Sequence, residues 1–301
     1  MGHYCTRLYI MNNINLKNFR VLACFAHPDD EAFPVGGTLS LYSSQGADIA
    51  LLTTTSGQLG EIREEGIATE ANLGEIRRQE LRDSCTALGI NRLTILEYKD
   101  SGMDGWEANF HPEAFINAKH SVVQSQLVQE IRFFKPHILL TFEPTGLYGH
   151  PDHISISNHV TEAFHKSSNN EYVATKNGRD LPVWKVSKLL HCARPLGYRK
   201  LWYDMLKANN IDMPEPSPEQ LTHGTPVGEI DFQINIKSAL GTKIKSILCH
   251  RTQTGPNWPY KNAPQTVKEN ILGIEHYIQV IPKLSPGSIK PSHFYDGIKF
   301  Q

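Results

Sequence analysis

Strand-length apolar runs alternate with helix-length periodic segments through the first half of the chain, and this alternation constrains the fold most. Arg20 to Ala26 (RVLACFA) is apolar throughout after its first residue, the mark of a strand covered on both faces. Asp48 to Thr55 reads as a second strand rich in β-branched residues, Arg92 to Tyr98 as a third and His137 to Phe142 as a fourth. Between and after them, Thr38 to Gln45, Glu70 to Leu88, Val122 to Phe134 and Ile154 to His165 carry helical spacing, with Gly89 at a C-cap position. A βαβαβαβ order predicts an α/β fold: a Rossmann-like, mostly parallel sheet with helices on both faces and right-handed crossovers.

The second half is less regular. Lys166 to Leu181 is polar and predicts a surface loop. Trp184 to Cys192 and Ile230 to Ile236 read as strands, and Lys237 to His250 and Gln265 to His276 as helices. The expectation is one domain over residues 1–301 with an irregular C-terminal part. Within it, residues 181–236 form either a substrate-shaping insertion or a small subdomain.

Charge and hydropathy exclude several functions. Lys+Arg is 30 and Asp+Glu 31, a formal net charge of −1, so no basic excess exists to displace counterions from nucleic acid. The longest clean apolar run, Val21 to Ala26, is far short of the roughly 20 residues of a membrane span. Met1 to Phe19 lacks the apolar core of a secretory signal. Cys5, Cys24, Cys85, Cys192 and Cys249 are scattered and odd in number, which predicts reduced thiols in a cytoplasmic protein. A homo-oligomer is compatible with this composition, but no segment specifies an interface.

Two segments concentrate imidazole and carboxylate at strand ends: His27-Pro28-Asp29-Asp30-Glu31 after the first strand, and His150-Pro151-Asp152-His153 after the fourth. In open α/β sheets, ligands bind outside the carboxyl ends of the strands where strand order reverses. A 3-2-1-4 order would bring these motifs together across one crevice. Three consecutive carboxylates repel one another and call for a cation. Two imidazoles and one carboxylate with an open position for water form a usual catalytic zinc site. A remaining carboxylate can serve as general base and a remaining imidazole as oxyanion stabiliser. Asp152 can fix the tautomer of His150 or His153. Taken singly, the acids also suit a helix N-terminus, and His150 and His153 could be ordinary loop residues. The pairing of the motifs favours metal chemistry. The chain has no GxGxxG after the first strand, no P-loop and no GxSxG elbow.

Ala26 to Glu31 (AHPDDE) together with Tyr148 to His153 (YGHPDH) resembles the PIG-L/LmbE-like zinc-dependent N-acetylglucosaminyl deacetylases. Gly60-Glu61, Arg77-x-x-Glu80-Leu81, Leu88-Gly89, Lys99 to Met103 (KDSGM) and His250-x-x-Gln253 extend the likeness over most of the chain. It is particularly marked toward the mycothiol-pathway branch. The resemblance implies that His27, Asp30 and His153 hold zinc, with iron or another divalent ion as alternatives. It implies that Asp29 is the general base, that His150, oriented by Asp152, stabilises the oxyanion, and that Tyr148 is a mobile donor to the same oxygen. Arg77 and Asp100 would hold sugar hydroxyls, and Glu61 would line the same pocket. From the residues alone, the default for Arg77 is a solvated helix-surface arginine three residues from Glu80, and turn chemistry accounts for Asp100; only the resemblance lifts them. The implied reaction is hydrolysis of acetyl from an N-acetylated amino sugar conjugate, a small-molecule substrate. The competing readings are an amidase on a thiol conjugate or antibiotic scaffold using the same site, and a non-catalytic sugar-binding module.

Overall fold

The computed structural model describes residues 14–300; Cys5 and most of the N-terminal stretch considered above lie outside them. The first half follows the expected alternation. Strand β1 (Arg20–Phe25) leads to α1 (Gly36–Ser44), β2 (Asp48–Thr55), α2 (Leu73–Leu88), β3 (Arg92–Tyr98), α3 (His120–Phe134) and β4 (Ile138–Phe142). Then come a single irregular turn, α4 (Gly146–Gly149), and α5 (Pro151–Lys166). Helix α2 ends as its sequence predicts, on Gly89 in the left-handed conformation, φ 74°.

Helix α5 begins three residues earlier than its periodicity suggests. Pro151 occupies the first turn, where its missing N–H costs nothing, and the His150 side chain accepts the Asp152 N–H as N-cap. His153 therefore sits on a rigid helix rather than in a loop.

The second half departs further. The polar stretch 166–181 contains a short hairpin, β5 (Thr175–Lys176) and β6 (Arg179–Asp180). Strand β7 (Lys188–Ala193) is followed by α6 (Tyr198–Ala208), α7 (Pro218–Thr222), β8 (Phe232–Asn235) and α8 (Leu240–Cys249). After α9 (Arg251–Thr254), the predicted helix Gln265 to His276 divides. Helix α10 (Gln265–Leu272) stops at Gly273, and Ile274–Ile281 forms β9. The β-branched residues Ile274, Ile278, Val280 and Ile281 favour the extended form once glycine has broken the helix. No helix among the described residues is long and apolar enough to cross a membrane.

The seven-stranded sheet has the order β3-β2-β1-β4-β7-β9-β8. Strands β1 to β4 and β7 run parallel; β9 pairs antiparallel with both β7 and β8. Strands β1 and β4 are neighbours, so the order reverses between them, as a 3-2-1-4 arrangement requires. Val21 to Phe25 and Ile138 to Phe142 are fully enclosed, consistent with strands covered on both faces.

Strand β9 also reaches the start of α1, whose N-cap residue Val35 makes no side-chain cap. Glu275 fills that role: its carboxylate accepts the Gly37 and Thr38 N–H groups, each at 2.8 Å, and pairs with the buried Lys243 ammonium at 2.7 Å.

One buried histidine sets an acid limit. His191 on β7 is 4 % exposed, its Nε2 has no partner, and burial lowers its pKa to about 4. The unfolded chain binds its proton below about pH 6.5 and the folded chain only near pH 4. Its neutral form therefore supports the fold above that window, and the support is lost as pH falls through it. Between about pH 7 and pH 5 the loss is on the order of 2 kcal/mol. Denaturant midpoints at the two pH values should show a loss that includes it, since burial also lowers His137 and His159 to about 4. His191→Phe should reduce that loss by about 2 kcal/mol; an equal loss in the variant would refute the assignment.

Candidate metal and catalytic site

The two motifs meet at the reversal point of the sheet. His27 leaves the end of β1, and His150 and His153 stand at the start of α5, beyond β4. His27 Nδ1 lies 3.2 Å from His153 Nε2. Asp30 Oδ1 is 3.3 Å from His153 Nε2, and Asp30 Oδ2 is 3.8 Å from His27 Nδ1. All three residues are buried.

Hydrogen bonds on the far sides of the rings fix their tautomers. His153 Nδ1 donates to the Gly146 carbonyl at 3.1 Å, which leaves Nε2 a bare lone pair. His27 Nε2 donates to Asp152 Oδ2 at 3.1 Å, which leaves Nδ1 a bare lone pair. Two lone pairs and a carboxylate oxygen thus converge, and they repel unless a proton or a metal ion stands among them. Ligands about 2.0–2.1 Å from a tetrahedral ion lie roughly 3.3 Å from one another, close to the separations found here. The donor set fits a divalent metal. His150 adds a further nitrogen close by: one ring nitrogen each of His27, His150 and His153 falls within 4.8 Å of the others, and a second group joins His27 and His150 to Asp100 and Asp152.

The local backbone explains the convergence. Asp30 Oδ2 accepts the N–H groups of Ala26 (3.2 Å) and His27 (2.7 Å), folding the carboxylate back onto the strand end. Gly146 has φ 66°, and a Cβ there would lie 2.7 Å from the His153 Cβ; only glycine lets the loop approach the ring. Phe142 stacks on the other side of His153 at 4.0 Å.

Asp29 sits at φ 107°, a conformation rare outside glycine. Glu31 holds it there, accepting the Asp29 N–H at 3.0 Å while its other oxygen binds His250 Nε2 (2.7 Å) and Ser84 Oγ. Asp29 Oδ2 lies 3.4 Å from the Arg77 guanidinium; Oδ1 takes no hydrogen bond among the described residues. Burial pushes the Asp29 carboxyl up, against the charge of Arg77, and pushes Asp30 up to about 7, against the pull of His27.

Asp152 behaves differently from expectation. Its carboxylate orients His27, not His150 or His153, and is itself held by the N–H (2.9 Å) and hydroxyl of Ser101. It reaches His150 only through its backbone N–H, which donates to Nδ1 at 3.1 Å. The His150 proton is thereby placed on Nε2, and burial and the neighbouring His27 lower its pKa to about 4. The supporting role of Ser101 was not identified from sequence; its signal is the Lys99 to Met103 string itself.

The expected sugar contacts divide. Arg77 is buried against protein, donating to the Gly57 carbonyl (2.6 Å) and the Pro28 carbonyl, so it braces the loop that carries Asp29. Asp100 accepts the Gly102 N–H (2.8 Å) and Leu59 N–H (3.3 Å) and lies 3.5 Å from His27 Nε2. The Glu61 side chain is exposed and paired with Arg63 at 2.6 Å, away from the buried cluster. Tyr148 packs edge-on against His153, with ring centroids 5.0 Å apart.

A family model described as PIG-L, GlcNAc-PI de-N-acetylase, matches residues 22–164. The 1D-myo-inositol 2-acetamido-2-deoxy-alpha-D-glucopyranoside deacetylase of Thermobifida fusca is 32% identical over 278 residues, covering 87% of this chain and 93% of the relative. The chain belongs to the PIG-L deacetylase family. Structural likeness extends the family's fold to more distant proteins. N,N'-diacetylchitobiose deacetylase from Pyrococcus horikoshii matches at TM-score 0.60 and 18% identity, over 90% of this chain and 87% of that one. A 4-carboxy-2-hydroxymuconate hydratase from Pseudomonas putida matches at TM-score 0.60 and 19% identity, over 90% and 100%. A hydratase on the same fold means that chemistry must be argued from the site.

Proposed function

We propose that this chain hydrolyses the acetamide of an N-acetylglucosaminyl conjugate, using one divalent cation, zinc, held by His27, Asp30 and His153. The observation that carries the reading is a bare carboxylate oxygen, Asp29 Oδ1, beside two imidazole lone pairs that converge on one point. The relatives named as deacetylases of an inositol 2-acetamido-2-deoxy-glucopyranoside support the sugar class. A non-catalytic sugar-binding module would have no use for an uncommitted base.

A divalent cation in that position supplies Lewis acidity toward a carbonyl oxygen and acidifies nearby water. Asp29 accepts the proton of the attacking water on Oδ1, while Arg77 steadies Oδ2. His150 presents its Nε2–H to the carbonyl oxygen as negative charge develops there, because its Nδ1 is engaged by the Asp152 N–H. The Tyr148 hydroxyl is a second donor for that oxygen. The proton on Asp29 is then available to the departing amine. Asp152 and Ser101 keep the His27 proton on Nε2 throughout. The same reading puts the enzyme in the cytoplasm, where Cys24, Cys85, Cys192 and Cys249, none of them in a disulfide, stay reduced.

Purified protein should carry about one divalent ion per chain, since a single triad supplies the donors. A chelator should stop acetate release from an N-acetylglucosaminyl polyol, zinc should restore it, and His153→Ala should lose the ion. Elemental analysis of the protein as purified distinguishes zinc from iron, and restoration with each ion shows which of them supports turnover. Undiminished acetate release from metal-free protein would overturn the proposal.

A further inference from the structure

Beside Tyr148 lies a cavity of about 240 Å³ lined by Met103, Tyr148, Arg194, Arg199, Gln220 and His223. Four of these six residues come from 181–236, the segment with no recognisable motif. Its two arginines are unusual in this molecule. Every other buried or half-buried arginine among the described residues is hydrogen-bonded: Arg20 to the Lys135 carbonyl, Arg77 to Gly57, Arg78 to Glu97, Arg92 to Glu130 and Arg132 to Asn169. Arg194 and Arg199 are both half-buried, yet neither has a carboxylate or carbonyl partner among the described residues. Arg194 rests instead against the Trp202 and Tyr198 rings, 5.7 and 6.0 Å from their centroids.

Two like charges held side by side without an anion are costly to fold. Burial and the proximity of Arg194 both push Arg199 down from its ordinary range. Nearby Arg63 adds to the positive field, although Glu61 pairs with it. Planar guanidinium forks match carboxylate and phosphate geometry, and an aromatic shelf under one of them holds it ready. The Tyr148 ring, which packs on His153, forms the boundary between this cavity and the metal triad. A sugar with its acetamide at the triad would therefore direct its linked group toward the arginines.

We propose that Arg194 and Arg199 form a subsite for a negatively charged group, a carboxylate or a phosphate ester, on the moiety linked to the amino sugar. The inference deepens the deacetylase reading and rests on it for the sugar; the anion site itself does not depend on turnover.

The test uses three N-acetylglucosaminides with matched linkages: one to a neutral polyol, one to a hydroxycarboxylate and one to a phosphorylated polyol. Their dissociation constants are measured by calorimetry with the metal-loaded enzyme, and their acetate release by kinetics. At least one anionic conjugate should bind about tenfold tighter than the neutral one, or more, as charge-assisted hydrogen bonds do. The Arg194→Gln/Arg199→Gln double variant should collapse that ratio. The ratio is read within one protein preparation, so a general loss of folded enzyme does not move it. The better of the two anions identifies the group. Equal binding of all three conjugates, or a preference that survives the double variant, would overturn the subsite. Hydrolysis of all three with no anion preference defeats the subsite alone. Arginine-dependent anion binding without any hydrolysis leaves the subsite standing and defeats the deacetylase reading.

Discussion

Asp29→Asn should reduce acetate release by about 10²–10⁴-fold while the metal content of the protein stays at the parent level. The size follows from removing proton transfer while sparing the proposed ligands. Asp29 donates nothing to the convergence of His27, Asp30 and His153, and its free Oδ1 is the group that can accept a proton. Asparagine is the right replacement because it tolerates positive φ better than other side-chain-bearing residues, so the strained turn at φ 107° survives. Alanine would combine loss of the base with backbone strain. Elemental analysis and steady-state kinetics on one preparation check the two halves together. Turnover near the parent value with the ion retained would remove Asp29 from the base role. Loss of the ion would instead make it part of the metal site.

The largest effect on stability should come from Glu275→Gln, at about 3–5 kcal/mol. The change leaves the Lys243 ammonium, 2 % exposed, without its only anionic partner among the described residues. It also weakens the cap on α1, the helix that follows the His27 to Glu31 turn. Lys243→Met should cost less, because Glu275 keeps the Gly37 and Thr38 N–H groups and the Tyr277 hydroxyl. The double variant should be more stable than Glu275→Gln alone, since it strands no charge. Denaturant unfolding of the three variants checks this order, and a Lys243→Met cost equal to or above that of Glu275→Gln would contradict it.

Both motifs were legible because they sit beside strands whose apolar runs leave no alternative. Once β1 and β4 are buried on both faces, the residues after them must emerge at the same end of the sheet. The hydrogen bonds around them were not legible. Asp152 is one residue from His153 and two from His150 in sequence, but the first turn of α5 aims its carboxylate at His27. Arg77 reads as a surface residue of a charged helix until the fold brings Gly57 and Pro28 over it. The boundary between α10 and β9 is not legible in the sequence because Ile271, Ile274 and Ile278 keep the i, i+3, i+7 spacing of a helix face across it.

The sequence by itself determined the layered α/β order, the strand ends that carry the chemistry and the identity of the converging imidazoles and carboxylates, because hydrophobic period and residue type are local properties. Only the tertiary structure decided which nitrogen of each histidine is bare, which carboxylate keeps a free oxygen, and which arginines lack a partner. His27, Asp29 and Asp152 are set by groups more than 40 positions away in the chain, Asp152 for His27, Arg77 for Asp29 and Ser101 for Asp152, and no local pattern encodes such distances. His153 and His150 take nearer partners, the Gly146 carbonyl and the Asp152 N–H, which only the folded turn into α5 aims at them.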